Sequence, residues 1–299
     1  MNALFITGPT ASGKTGIALE IARRCGGEIV GADAFQIYRG MDLLTAKPSH
    51  EEQERVPHHL VDIVPATENF DVARYHDKAI RCAADIERRG KLPIVSGGTG
   101  LYIRALTRGL SDLPRGDAAA REELQAATLE DLQRRYATLD PEGAKKIDLK
   151  NKRRLVRAVE VCLLTGKPFS TLRKEWESAP PPVAGFILTR DRDDLHARIN
   201  RRVEEMFRNG VVEEVRAIEN AGETAAQAIG FKEIRSLLEN KITERECIER
   251  IQLATRQYAK RQMTWMRRET LFTPVHLPPH GGIDDAIALI EAKAKSLAR

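Results

Sequence analysis

Residues 8–15, Gly8-Pro9-Thr10-Ala11-Ser12-Gly13-Lys14-Thr15, fit the G-x-x-x-x-G-K-[ST] pattern of a phosphate-binding loop. The chemistry follows from the residue types. Gly8 and Gly13 let the backbone curl so that successive N–H groups point at an anion, and a helix starting at the loop adds the partial positive charge of its N-terminus. Lys14 brings a mobile ammonium, and the Thr15 hydroxyl can ligate Mg²⁺. The flanks agree with this reading. Ala3-Leu4-Phe5-Ile6 is a strand-like run, and Gly16 to Arg24 carries Ile17, Ala18, Ile21 and Ala22 at helical spacing. Such a loop binds a diphosphate or a nucleotide. It leaves open whether the bound phosphate is attacked, as in a kinase, or departs, as in an alkyl transfer.

A carboxylate stands close by. Gly27 to Asp33 reads as a second strand with Asp33 at its carboxyl end, where ligands of open α/β sheets bind. Asp33 can hold a metal through water, act as general base for a substrate over the loop, or simply cap a turn. The Thr10 hydroxyl can face a phosphate oxygen. Arg198 and Arg202, four residues apart on one helical face, can close over the same phosphates or form a solvated face. A second glycine-rich turn, Gly97-Gly98-Thr99-Gly100, opens another helix, where Thr99 donates to a phosphate or caps the helix. The apolar run Leu92–Ser96 before it ends without the acid that usually holds Mg²⁺ in a phosphate-loop NTPase, which counts against phosphoryl transfer. His58 and His59 are adjacent in a strand-like run, so they point to opposite faces and cannot ligate one ion.

These residues need a parallel sheet to position them. Strand-like runs recur at 3–6, 27–33, 58–64, 92–96, 185–189 and 272–277, alternating with amphipathic helices such as Asp71–Arg89. Both glycine turns then fall on one edge of the sheet. From Ser111 the strand-like runs vanish and the pattern is helical, until Pro180-Pro181-Pro182 leads back into the sheet as a stiff linker. The fold expected is α/β: a P-loop NTPase-like parallel sheet flanked by helices over 1–110 and 184–299, with an inserted all-helical domain over 111–183.

With 299 residues, 42% hydrophobic and 30% charged, the chain has length for two domains at about 150 residues each. No apolar run approaches the roughly 20 residues of a membrane helix. The chain enters a strand at once, with no export signal to be read, and Cys25, Cys82, Cys162 and Cys247 are scattered, as reduced thiols are. A cytoplasmic monomer with no membrane contact is expected. The net charge of +5 points to a polyanionic partner only if it is clustered, and it is. Lys145, Lys146, Lys150, Lys152, Arg153, Arg154 and Arg157 have Asp148 as the one acid among them, with Leu155, Val159 and Cys162 on the opposite face. Arg256, Lys260, Arg261, Arg267 and Arg268 follow one another without an acid, interleaved with Tyr258 and Trp265. The two clusters suggest a surface that tracks a nucleic-acid backbone, with the aromatic residues as stacking platforms or core.

Taken together the motifs closely resemble those of the bacterial tRNA dimethylallyltransferases, also called tRNA isopentenyltransferases. The resemblance runs through the phosphate loop, Asp33-Ala34-Phe35-Gln36-Ile37-Tyr38, Thr45-Ala46-Lys47-Pro48, Pro57-His58-His59-Leu60, Gly97-Gly98-Thr99-Gly100-Leu101-Tyr102, Arg153-Arg154-Leu155-Val156-Arg157, Ala228-Ile229-Gly230-Phe231-Lys232-Glu233 and Arg256-Gln257-Tyr258-Ala259-Lys260-Arg261-Gln262. One departure is Ala34, where the family usually has Ser. The resemblance implies transfer of a dimethylallyl group from dimethylallyl diphosphate to N6 of adenine 37, beside the anticodon of a tRNA, with Mg²⁺ at Thr15. It implies catalytic roles for Asp33 as base and for Thr10, Arg198 and Arg202. It also implies contacts from Asp33, Ala34, Phe35, Gln36, Thr99, Arg121, Arg153, Arg154, Leu155, Val156 and Arg157 to the tRNA anticodon stem-loop. Diphosphate is then a leaving group.

Overall fold

The computed structural model describes residues 2–110, 113–114, 116–174, 183–279 and 281–297. The chain forms two compact units, Met1–Thr107 with Pro182–Arg299, and Arg108–Pro181. The start of the helical segment at Ser111 and the Pro180–Pro182 linker lie outside the described residues.

In the first unit β1 (Leu4–Thr7) leads through the phosphate loop into α1 (Lys14–Cys25) and β2 (Glu28–Gly31). Two short helices, α2 (Asp42–Thr45) and α3 (His50–Arg55), precede β3 (His58–His59). Then come α4 (Val72–Arg88), β4 (Pro93–Gly97) and α5 (Gly100–Arg108). The second unit holds α6 (Ala118–Ala126), α7 (Leu129–Leu139), α8 (Pro141–Ala144), α9 (Lys152–Thr165) and α10 (Phe169–Lys174). The chain returns to the first unit with β5 (Ala184–Thr189), α11 (Arg192–Arg208), α12 (Val211–Ala217), α13 (Phe231–Leu238), α14 (Glu244–Met266), β6 (Thr273–His276) and α15 (Ile283–Leu297).

The strands form one six-stranded sheet in the order β3-β2-β4-β1-β5-β6, every pair parallel. Alternation explains its two covered faces. Leu4, Ile6, Ile29, Ile94, Phe186 and Leu188 pack with Ile17, Ile21, Ile287 and Ile290 of α1 and α15, while Phe5, Val30, Val95 and Ile187 join the larger core on the other side. Thr7 pairs with Gly97 and Gly31 with Ser96, so β2, β4 and β1 end side by side. That alignment brings Asp33, Thr99 and the phosphate loop to one edge.

The strand expected over 58–64 is confined to His58–His59. Leu60 and Asp62 have φ of 61° and 57°, in the left-handed region that ends a strand, and Val64 makes only a single bridge to Tyr38. Lys47, whose side chain is 2% exposed, pairs with Asp42 and Asp62 and ties this loop down. The histidines are structural. His58 Nδ1 bonds Val56 O, and His59 Nε2 bonds Glu28 at 2.7 Å.

Glu28 is a buried carboxylate that also accepts from Arg89 and from Lys91, binding β2 to β3 and to the turn after α4. The bonds from Arg89, more than those from Lys91 and His59, hold its carboxyl well below the usual range. A depressed carboxyl contributes stability in full above its unfolded value and loses it as pH falls below about 4.5. Glu28→Gln should therefore cost about 2 kcal/mol in urea unfolding at pH 7. The gap to wild type should narrow below about 4.5; a constant gap would contradict the ion-pair account.

The helical unit packs on its own core of Leu124, Leu132, Tyr136, Leu155, Val156, Val159 and Cys162. Buried Asp140 accepts from the Tyr136 hydroxyl, Gly143 N and Ser170, so its one carboxylate fastens α7, α8 and α10.

Candidate active site

Side chains from distant parts of the chain hold the phosphate loop in shape. Gly13 caps α1 at φ 94°, a turn that a side chain would strain, and Ala11 also takes a positive φ of 63°. Two arginines satisfy the loop carbonyls: Arg190 Nε donates to Ser12 O at 2.8 Å and Arg198 Nε to Ala11 O at 2.9 Å. Arg190 is itself buried and paired with Asp194 at 2.8 Å. Thr7 Oγ1 donates to Gly97 O at 2.9 Å, joining the loop strand to the second glycine turn. The Ser12 hydroxyl is buried without a partner.

A cavity opens over the loop, within the first unit. Polar side chains of Thr10, Lys14, Thr15, Asp33, Gln36, Arg202, Tyr258 and Gln262 line it together with apolar ones of Phe35, Leu44, Ile199, Val203, Met206 and Ile251. Arg202 and Arg198 share a face of α11, as their spacing requires, but only Arg202 reaches the cavity. Arg202 is a half-buried cation within 3.4 Å of the Thr10 hydroxyl and of Thr45 O. Burial brings the Lys14 ammonium down to about 8, with Asp33 opposing this and Arg202 reinforcing it. Two cations facing one carboxylate in a half-buried hollow leave a net positive site for an anion.

Asp33 both caps its own turn and lines the cavity. Its Oδ1 accepts from Phe35 N at 2.9 Å and from Gln36 N at 3.4 Å, which is a turn cap, while the residue also lines the cavity. The turn is fastened further. Ala34 N donates to the Thr99 hydroxyl at 3.0 Å, and Gln36 Nε2 donates to Thr45 O and Ala46 O. The Ala34 methyl packs against the core.

Several residues here were not singled out from the sequence. Arg190 is one, hidden in the turn between β5 and α11. Gln262 is another: its Oε1 accepts from Thr10 N at 2.9 Å and its Nε2 donates to Gly98 O at 2.8 Å. The available signal was its place on the buried stripe of α14, after Cys247, Ile251 and Ala259 and before Met266, where a polar side chain needs partners. Of the two aromatics in the basic helix, Tyr258 faces the cavity, with Arg261 5.7 Å above its ring. Burial, aided by Asp33, keeps its phenol far above the usual range, so it stays neutral. Trp265 packs over Gly100, where a Cβ would stand 2.6 Å from the indole.

The IPP transferase family model matches residues 36–269. This chain belongs to that family. It is 43% identical to a tRNA dimethylallyltransferase of Akkermansia muciniphila over 89% of this chain and 90% of that one. It is 46% identical to one of Geobacter metallireducens, covering 96% of each. The solved structure of a tRNA isopentenylpyrophosphate transferase from Bacillus halodurans superposes with a TM-score of 0.73 at 34% identity, over 100% of this chain and 97% of that one. A eukaryotic dimethylallyltransferase acting on tRNA gives 0.83 at 26% identity, over 98% and 79%. The parallel sheet with its phosphate loop is the P-loop NTPase-like fold shared by the IPP transferases.

The helical unit sorts the remaining family-matched positions by burial. Lys145, Lys146, Lys150, Lys152, Arg153 and Arg154 are exposed. Leu155 and Val156 are 0% and 6% exposed and belong to the core of the unit, since adjacent apolar residues on α9 widen its buried stripe. Arg121 and Arg157 both pair with buried Glu160, at 2.9 and 2.7 Å, and Arg157 also donates to Pro114 O. Both remain partly exposed beside that carboxylate.

Proposed function

We propose that the chain transfers the dimethylallyl group of dimethylallyl diphosphate to N6 of adenosine 37 in a tRNA anticodon stem-loop and releases diphosphate. The observation that carries this reading is the joint lining of one cavity by Lys14 and Arg202, by Asp33, and by apolar side chains such as Phe35, Val203, Met206 and Ile251, against which a branched five-carbon chain can pack. The bond from the allylic carbon to the bridging oxygen breaks, and negative charge grows on the diphosphate. Loop N–H groups, Lys14, Arg202 and the Thr10 hydroxyl stabilise that charge where it develops. N6 forms the new bond to carbon, and its proton passes to Asp33, whose Oδ1 keeps the turn while Oδ2 accepts. A stacked adenine cannot reach the cavity, so the base swings out of the loop at a cost of a few kcal/mol.

Mg²⁺ fits these residues. Among the described residues no cluster of three or more His, Cys, Asp or Glu forms a metal cage. Mg²⁺ at phosphate sites takes few protein ligands and keeps water and substrate oxygens for the rest. Thr15, on the cavity wall, would hold it, and the ion would neutralise charge on the diphosphate.

The acceptor separates this reading from prenylation of a free nucleotide. With dimethylallyl diphosphate and Mg²⁺, an anticodon stem-loop should be modified and AMP left untouched; modification of AMP alone would refute an RNA substrate. The exposed arginines of α9 give a second test. Arg153→Ala with Arg154→Ala should weaken stem-loop binding and flatten its log–log salt dependence by about 0.7–0.9 for each lost phosphate contact. An unchanged slope would return both to an idle solvated face.

A further inference from the structure

Gln262 is 6% exposed and joins two separate turns to α14 through one amide. Its oxygen takes the N–H of Thr10 in the phosphate loop, and its nitrogen gives to the carbonyl of Gly98 in the second glycine turn. Gly98 is followed directly in the chain by Thr99. Thr99 in turn accepts from Ala34 N, next to Asp33. A continuous path therefore runs from the loop that cradles the diphosphate, through Gln262 and the adjacent pair Gly98-Thr99, to the turn that carries the base. No other uncharged side chain of this length except an amide offers both a donor and an acceptor at its tip; Glu would face the Gly98 carbonyl with a second acceptor, and Met would offer neither bond. The Thr10 N–H is spent on Gln262 rather than on an anion, and this fixes the residue whose hydroxyl stands 3.4 Å from Arg202. Gly98 leaves room for the amide, since a Cβ there would stand 2.3 Å from the Gln262 nitrogen.

We propose that Gln262 is a positioning residue that holds the phosphate loop and the Thr99–Asp33 turn in one fixed relation, so that the leaving diphosphate and the attacking N6 are presented together. The proposal rests on the prenyl-transfer reading, and its test is built so that the two fail separately. Inorganic diphosphate with Mg²⁺ is titrated calorimetrically into wild type, Gln262→Met, Gln262→Glu and Gly98→Ala, and steady-state transfer to a stem-loop is measured beside it. Gln262→Met removes two bonds, so diphosphate affinity should fall about tenfold, with a similar loss in kcat, while the KM for the stem-loop moves less than about twofold. Gln262→Glu should be worse than Met, because the carboxylate repels both the Gly98 carbonyl and the anion. Gly98→Ala displaces the same amide from the other side and should reproduce the loss, which keeps the test available if Gln262→Met folds poorly. A folded Gln262→Met, or Gly98→Ala where that variant does not fold, with diphosphate affinity and kcat within about twofold of wild type overturns the proposal. If wild type binds diphosphate yet prenylates no RNA, the functional reading fails and the calorimetric arm still decides the role of Gln262.

Discussion

Asp33→Asn should lower kcat for prenyl transfer by about a thousandfold, the middle of the range for losing a positioned general base. Binding of the stem-loop should stay close to wild type. Asn is the informative substitution because the two oxygens of Asp33 do different things. Oδ1 accepts from Phe35 N and Gln36 N and shapes the turn, and an amide oxygen can keep both bonds. What Asn removes is the charge and the second oxygen that would take the N6 proton. The turn also remains tied by Thr99 to Ala34 N and by Gln36 to Thr45 O and Ala46 O. A loss confined to kcat assigns Asp33 to the chemistry. A proportional loss in stem-loop binding and thermal stability would assign it to the turn alone, and a fully active variant would remove it from the reaction. Asp33 also opposes the shift at Lys14, so Asn should bring the Lys14 ammonium lower still.

The second large effect is on pH dependence. Lys14 is held at about 8 by burial in the free protein, whereas 10.5 is its ordinary value. The cation is what the diphosphate needs, so kcat/KM for dimethylallyl diphosphate should fall about tenfold per pH unit above about 8, since this parameter reports groups of the free enzyme. Lys14→Met should abolish that limb and lower kcat/KM by about a hundredfold at pH 7, for loss of a charge-assisted contact to the leaving group. The sign of the stability effect is opposite. A lysine whose folded value lies below its unfolded value binds fewer protons in the folded state between the two, so stability rises with pH from about 8 to 10.5. The charged ammonium therefore destabilises the empty protein at pH 7. Lys14→Met should melt at a higher temperature than wild type without diphosphate, and this advantage should disappear when diphosphate and Mg²⁺ are added. A variant that is both inactive and less stable at pH 7 would contradict the account.

Much of this was legible in the residues. The phosphate loop carried its own context, because a four-residue apolar strand before it and Ile17, Ala18, Ile21 and Ala22 after it leave few other arrangements. The amphipathic helix expected over Asp71–Arg89 stands as α4, with Asp71 as its N-cap. Less legible was whatever depended on one backbone angle or on distant partners. His58–Val64 is a strand-like run rich in apolar residues, yet positive φ at Leu60 and Asp62 ends the strand after His59, and the pairing of Lys47 with Asp62 that accompanies this geometry spans 15 residues. Periodicity placed Leu155 on the buried side of α9 but could not show that Val156 was buried too. Arg190 and Gln262 read as ordinary polar residues, because their partners are the carbonyl of Ser12, the carbonyl of Gly98 and the amide of Thr10, 164 to 252 residues away in the chain. Backbone partners leave no mark on the sequence. Among the arginines of α11, spacing correctly placed Arg198 and Arg202 on one face, but only the fold separates Arg198, which braces the loop from outside, from Arg202, which reaches the cavity.

The central claim is that the phosphate loop holds a leaving group while the nucleotide arrives as part of an RNA. Mass spectrometry of an anticodon stem-loop after incubation with the protein, dimethylallyl diphosphate and Mg²⁺ tests it most directly. The account predicts that a single adenosine beside the anticodon gains one five-carbon prenyl unit at N6, with one diphosphate released for each RNA modified. An unmodified stem-loop, in a reaction where the same protein moves phosphate from ATP to an acceptor, would contradict it.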